Sequence, residues 1–125
     1  MIVDTNALSA FSQGNLVVRE LIAESNGPYL PVVVYGELRF GLLGSRQRDR
    51  GVPWLDQIAG EWVTLNIELE TAKQYSEVRQ WLRLNSRPIP VNDIWIAALA
   101  RQHAMPLLTN DTHFAAIPGV DVVGF

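Results

Sequence analysis

No cysteine occurs among the 125 residues, which rules out a disulfide framework and a thiolate zinc site and gives no sign of an oxidising compartment. Lysine is nearly absent too: Lys73 is the only one, so the positive charge is carried almost wholly by arginine. With a formal net charge of -3, the chain lacks the basic excess of a protein that grips nucleic acid by charge alone. No apolar run approaches the ~20 residues a membrane helix requires, and Met1-Ile2-Val3-Asp4 has neither the basic nor the apolar segment of a secretory signal. The expected setting is cytoplasmic, with no membrane partner. Low-complexity tracts, internal repeats and linker-like shifts of composition are also missing, so residues 1–125 are expected to form one domain.

What remains is an alternation of short apolar strands and helical patterns. Ile2-Val3-Asp4, Tyr29-Leu30, Trp62 to Leu65, Pro106 to Thr109 and Val120 to Val123 read as strands. Between them, Glu68 to Asn85 is the longest helical pattern, with Leu69, Ala72, Tyr75, Val78 and Leu82 expected on one buried face. Val91 to His103 is apolar nearly all round, which predicts a buried central helix, with Asn92 or Asp93 as its N-cap and Trp95 in the core. Continuous apolar strands with few hairpin signals predict an α/β fold, a parallel sheet covered by helices.

In open α/β sheets, ligands bind beyond the carboxyl ends of the strands. Asp4 ends the first strand and Asp111 follows Leu107-Leu108-Thr109, while Glu37 and Asp93 stand early in apolar helices. If those helix starts face the same edge, four carboxylates converge. Crowded carboxylates repel and take up a proton unless a cation lies between them, and a hard divalent ion such as Mg²⁺ or Mn²⁺ suits oxygen ligands and completes its shell with phosphate. That chemistry is metal-assisted phosphodiester hydrolysis. Each acid also has a plainer reading: Asp4 and Asp111 as turn formers, Asp93 as a helix cap, Glu37 as a solvated helix residue. His113, a single polar residue near Asp111, is left outside the set. Arg46, Arg48 and Arg50 form a short basic run that suits phosphate or carboxylate, or a merely solvated face.

The ordered segments Ile2-Val3-Asp4-Thr5-Asn6-Ala7-Leu8, Gly36-Glu37-Leu38-Arg39-Phe40-Gly41, Ile89 to Ala98 and Leu108-Thr109-Asn110-Asp111-Thr112-His113-Phe114 resemble the motifs of PIN-domain ribonucleases, and most of all the VapC toxins of toxin-antitoxin systems. The resemblance runs the length of the chain. It implies a five-stranded parallel sheet flanked by helices, an Mg²⁺- or Mn²⁺-dependent endoribonuclease, a homodimer, and inhibition by a cognate antitoxin. It also assigns metal-binding and catalytic places to Asp4, Glu37, Asp93 and Asp111, and supporting polar places to Asn6 and Thr109. A haloacid-dehalogenase-like phosphatase loses its proton shuttle, because Asn6 stands where its second aspartate would be, and two alternatives remain: a related DNA nuclease and a catalytically silent PIN-like binding module.

Overall fold

The computed structural model describes residues 1–125. The five strands are β1 (Ile2–Val3), β2 (Tyr29–Pro31), β3 (Val63–Leu65), β4 (Leu107–Leu108) and β5 (Val122–Val123). They form one sheet in the order β3-β2-β1-β4-β5, every neighbouring pair parallel. Each expected strand is present, four of them in a shorter form and β2 extended by Pro31. Trp62, for example, is the C-cap of the preceding helix rather than part of β3.

Six helices connect the strands: α1 (Thr5–Ser12), α2 (Leu16–Glu24), α3 (Val32–Leu43), α4 (Arg48–Glu61), α5 (Leu69–Leu84) and α6 (Val91–His103). Parallel strands cannot be joined by tight hairpins, so the first three connections each cross over through two helices, while β4 reaches β5 through a loop holding one 3-10 turn, Thr112–Phe114. The core joins Ile2 and Val3 of β1, Leu30 of β2 and Leu107 and Leu108 of β4 to Ile94, Ile96, Ala97, Leu99 and Ala100 of α6. Burial of most of the circumference of α6 agrees with its apolar sequence, although Val91 at its start stays 49% exposed. The helix ends at Ala104, whose φ of 49° lies in the left-handed region and turns the chain toward β4.

Three details differ from expectation. Pro90, not Asn92 or Asp93, is the N-cap of α6, so Asp93 stands in the first turn with its side chain free to bond elsewhere. Pro90 supplies the extended backbone an N-cap needs, and its carbonyl accepts from the N–H groups of Asp93 and Ile94. Leu69 is 75% exposed while Thr71 is buried. At the start of α5 capping overrides the apolar stripe: Thr71 Oγ1 accepts from Glu68 N at 3.0 Å and donates to Gln102 of α6. Trp95 is half-buried, stacked on Tyr75 with ring centroids 4.0 Å apart. That stack joins α6 to α5 beside the core.

Candidate active site

The chain leaves β1 for β2 and β3 on one side of the sheet, then returns to place β4 on the other side of β1. The strand order therefore reverses between β1 and β4, and open α/β sheets hold ligands outside the carboxyl ends of the strands at such a point. Asp4 follows β1 and Thr109 follows β4, 105 residues apart in sequence and hydrogen-bonded in space.

Asp4 is 3% exposed. Its Oδ1 accepts from Thr5 N at 2.7 Å as the N-cap of α1, so the plain capping role is real. Its Oδ2 does something further, accepting from Thr109 Oγ1 at 2.7 Å and from Asn6 Nδ2 at 3.2 Å. Asn6 in turn accepts from the N–H of Asn110, and the N–H of Asp111 donates to Thr109 Oγ1 at 3.0 Å. One network therefore fixes Asp4 and the turn bearing Asp111.

Glu37, from the second turn of α3, accepts from Thr5 Oγ1 at 3.1 Å through Oε2, while its Oε1 is buried without a hydrogen-bond partner. An orphaned buried carboxylate oxygen is costly, and such an atom marks a place for a missing cation or donor. Glu37 and Asp93 line the same open cleft, bordered by Phe40, Val91 and Asn92.

His113, left outside the set, lies between two of its members. The carboxylate of Asp93 meets Nε2 at 2.7 Å and that of Asp111 meets Nδ1 at 2.9 Å. The Nε2 contact with Asp93 has hydrogen-bond geometry, with donor and acceptor set by the ring tautomer, whereas Nδ1 and Asp111 make a close approach only. Asp111 also accepts from the N–H of His113, starting the single 3-10 turn Thr112–Phe114. That turn is what aims the ring. The local signal was a histidine two residues beyond a turn acid; its partner 20 residues upstream is visible only in the fold. Thr5, whose hydroxyl holds Glu37, was likewise missed. Arg46, Arg48 and Arg50 are exposed at and before the start of α4, as in the solvated reading of that run.

Burial raises the carboxyl pKa of Asp4, opposed by the hydrogen bonds from Thr109 and Thr5 and reinforced by the charge of Asp111. Burial likewise raises that of Asp93, opposed by the bond to His113 and reinforced by the charges of Asp4 and Glu37. Asp4 thus feels the charge of Asp111, and Asp93 the charges of Asp4 and Glu37, which links the four acids in one chain of repulsions. Ligand atoms of Asp93, Asp111 and His113 lie within 4.8 Å of one another. Buried Asp4, half-buried Asp93 and Asp111 and the unpartnered oxygen of Glu37 are the oxygen donors a hard divalent cation takes.

Fold and site together define an α/β protein with a carboxylate centre at the switch point of a parallel sheet. The chain belongs to the PIN-domain family, whose model matches residues 1–120. It is 31% identical over 121 residues to ribonuclease VapC5 of Mycobacterium tuberculosis, covering 94% of this chain and 87% of that protein. Ribonuclease VapC4 of the same organism is 34% identical over 94 residues, covering 74% and 72% of the two chains. Among solved structures, the VapBC-5 toxin-antitoxin complex of M. tuberculosis superposes with a TM-score of 0.80 at 28% identity, covering 99% of this chain and 97% of that one. Promoter-bound VapBC2 of Rickettsia felis reaches 0.88 at 23% identity over 99% and 97%, a likeness of fold.

Proposed function

We propose that this chain is a divalent-metal-dependent endoribonuclease of the VapC kind, the toxin of a toxin-antitoxin pair, acting as one cytoplasmic domain. The observation that carries the reading is Glu37 Oε1, buried without a partner in a cleft shared with Asp93. Asp4, Glu37, Asp93 and Asp111 would hold the ion, Mg²⁺ or Mn²⁺, and serve as the catalytic acids. Bound there, such an ion supplies charge stabilisation on a phosphodiester and acidifies water.

The chain's own residues do the positioning. Thr109, Asn6 and the Thr5 N–H clamp both oxygens of Asp4, and Thr5 Oγ1 orients Glu37. His113 bonds Asp93 through Nε2 and lies against Asp111 through Nδ1, which keeps both side chains at the cleft. No serine, cysteine or histidine nucleophile is required.

Two partners follow from this reading. Relatives of this chain are solved with their antitoxins, and Phe40, 81% exposed beside the cleft, offers an apolar border for one here. A partner arginine reaching the carboxylates would compete with the metal. A homodimer is the second expectation, carried by the likeness to VapC toxins.

The test is cleavage of a defined RNA by the purified chain with Mg²⁺, with Mn²⁺ and with EDTA, beside Asp4→Asn and Asp93→Asn. Cleavage should need metal and be lost in both variants. Full activity in EDTA or in either variant would overturn the site, and cleavage of single-stranded DNA but not RNA would favour a DNA nuclease.

A further inference from the structure

An acidic cleft in a chain of net charge -3 repels the polyanion it is proposed to cut, so binding must draw on positive charge placed nearby. Nine arginines and one lysine are available. Only Lys73 and Arg101 pair with a carboxylate of an acidic side chain, Glu70 and Glu77 respectively. Three of the others, Arg79, Arg83 and Arg87, line one groove of about 660 Å³ between the end of α5 and the start of α6. No aspartate or glutamate lines it.

The stripe is built deliberately by the local structure. Arg79 and Arg83 are four residues apart, about 6 Å along the α5 axis, on one face. Like charges at that spacing oppose helix stability slightly, and no acid on the groove offsets them. Arg79 is held over the ring of Tyr75, with its guanidinium carbon 5.8 Å from the centroid, and donates to the Tyr75 hydroxyl. Arg83, in the last turn, donates to Gln80. The favourable effect of a cation near a helix C-terminus accounts for Arg83 alone, and not for its neighbours. Arg87 is fixed by the chain reversal after α5: its N–H donates to Leu82 O and that of Ser86 to Arg83 O, with Ser86 at a left-handed φ of 52°. This is a Schellman ending with serine where glycine is usual.

The groove also runs into the proposed catalytic cleft. Val91 lines both, and Pro88 and Ile89 on the groove side lead to Pro90, Asn92 and Asp93 on the other. We infer that Arg79, Arg83 and Arg87 form a phosphate track for single-stranded RNA, which holds the strand beside the carboxylates and delivers it across Val91. The inference rests on the ribonuclease reading for its choice of polyanion. Arginine suits this use because its planar fork bonds phosphate oxygens in pairs and stays charged. The apolar floor of Leu82, Ile89 and Ile94 leaves room for sugars and bases without asking for a particular sequence.

The experiment compares the full chain with a triple variant, Arg79→Gln, Arg83→Gln and Arg87→Gln. A second triple, Arg46→Gln, Arg48→Gln and Arg50→Gln, makes the same change of net charge at the start of α4. Binding of a fluorescent single-stranded oligouridylate is followed by anisotropy in EDTA over a salt series, so no turnover is needed. The groove variant should bind at least 10-fold more weakly, and its plot of log K against log salt should be shallower by about 2, as expected for three lost phosphate contacts. The α4 variant should shift binding less than 3-fold. If the parent cleaves RNA, KM should rise in the groove variant while kcat stays within about 3-fold. Equal affinity and slope in parent and groove variant would overturn the track, as would equal losses in both triples. Tighter capture by the groove of a polyglutamate peptide than of RNA of the same charge would instead mark a protein-docking surface. A parent that binds as expected but never cleaves would refute the nuclease reading and leave the track standing.

Discussion

Asp93→Asn separates a metal-ready acid cluster from four incidental acids by stability alone. Asp93 is the better choice than Asp4, because an amide at position 4 would turn its NH₂ toward either the Asn6 donor or the Thr5 N–H. At position 93 the carboxylate faces His113, and an asparagine oxygen can still accept from Nε2. The cap of α6 is untouched, since Pro90 provides it. Ligand atoms of Asp93 and Asp111 lie within 4.8 Å, and at an effective dielectric of 20 two full charges at that separation repel by about 3.5 kcal/mol before screening. Water and salt reduce that figure, as the Asp93 and Asp111 side chains are 15% and 34% exposed. Loss of an acid from the first turn of α6 costs roughly 0.3–1 kcal/mol against it. The raised carboxyl pKa of Asp93 gives the net sign: ionisation at this place is unfavourable in the metal-free fold.

The variant should therefore be more stable than the parent in EDTA at neutral pH by about 1 kcal/mol, a melting shift of roughly 3–5 °C. Mg²⁺ should invert the order. At a concentration 100 times its dissociation constant, an ion binding only the native state adds about 2.7 kcal/mol to the parent, and the variant, short of one ligand charge, should gain much less. Thermal melts of both proteins in EDTA and in Mg²⁺ give four curves. A variant less stable than the parent by the same margin in both conditions would refute the cluster as a cation site and leave Asp93 a helix-dipole residue.

Three further outcomes can be checked. Asp4 and Asp93 both have carboxyl pKa values raised above their ordinary 3.8, so the native state binds protons more tightly than the unfolded chain; their contribution to metal-free stability is present below pH 3.8 and is lost as pH rises through the folded values, and urea midpoints at a series of pH values should show this loss in EDTA and not in saturating Mg²⁺. Thr109→Val keeps the buried shape but removes the donor to Asp4 Oδ2 and the acceptor for Asn6 and Asp111, so it should cost about 1–3 kcal/mol by chemical denaturation and lower RNA cleavage more than 10-fold; unchanged cleavage would show that this clamp does not position Asp4. Ala104→Gly should raise the melting temperature, because glycine adopts φ 49° without the roughly 1 kcal/mol or more that alanine pays there, and a lowered one would refute strain at the end of α6.

Much of this architecture is legible in the sequence for a simple reason. Strands that lie inside a parallel sheet must be apolar on both faces, so Leu107-Leu108 and Ile2-Val3 stand out as continuous runs, and the residues that follow them fall at the carboxyl edge. Asp4 is readable from that rule alone. The periodicity of α5 is legible in its middle, where Val78 and Leu82 are buried, and fails in its first turn, where Leu69 is displaced outward by the demands of capping. Apolar stripes report packing. They do not report how a helix begins, which is decided by hydrogen bonds of the first few N–H groups.

His113 shows where residue types stop being informative. A histidine two positions after an acid is common in turns, and nothing nearby in the chain distinguishes a ring aimed at Asp93 from one in water. The distinction depends on three separate features: the parallel pairing of β1 with β4, the 3-10 turn begun by Asp111, and the Pro90 cap that leaves Asp93 unengaged. The Pro90 cap bears most directly on the site. Had Asp93 been the cap of α6, one of its oxygens would have been engaged by backbone N–H groups and one fewer left for the cleft. Proline at position 90 thus does the structural work of starting the helix and releases the aspartate three residues later for the cleft. The same division holds less strictly at the first strand, where Asp4 caps α1 with one oxygen and presents the other to Thr109 and Asn6. A capping acid and a ligand acid are therefore not exclusive readings; which one applies is settled oxygen by oxygen, from the donors that each atom meets.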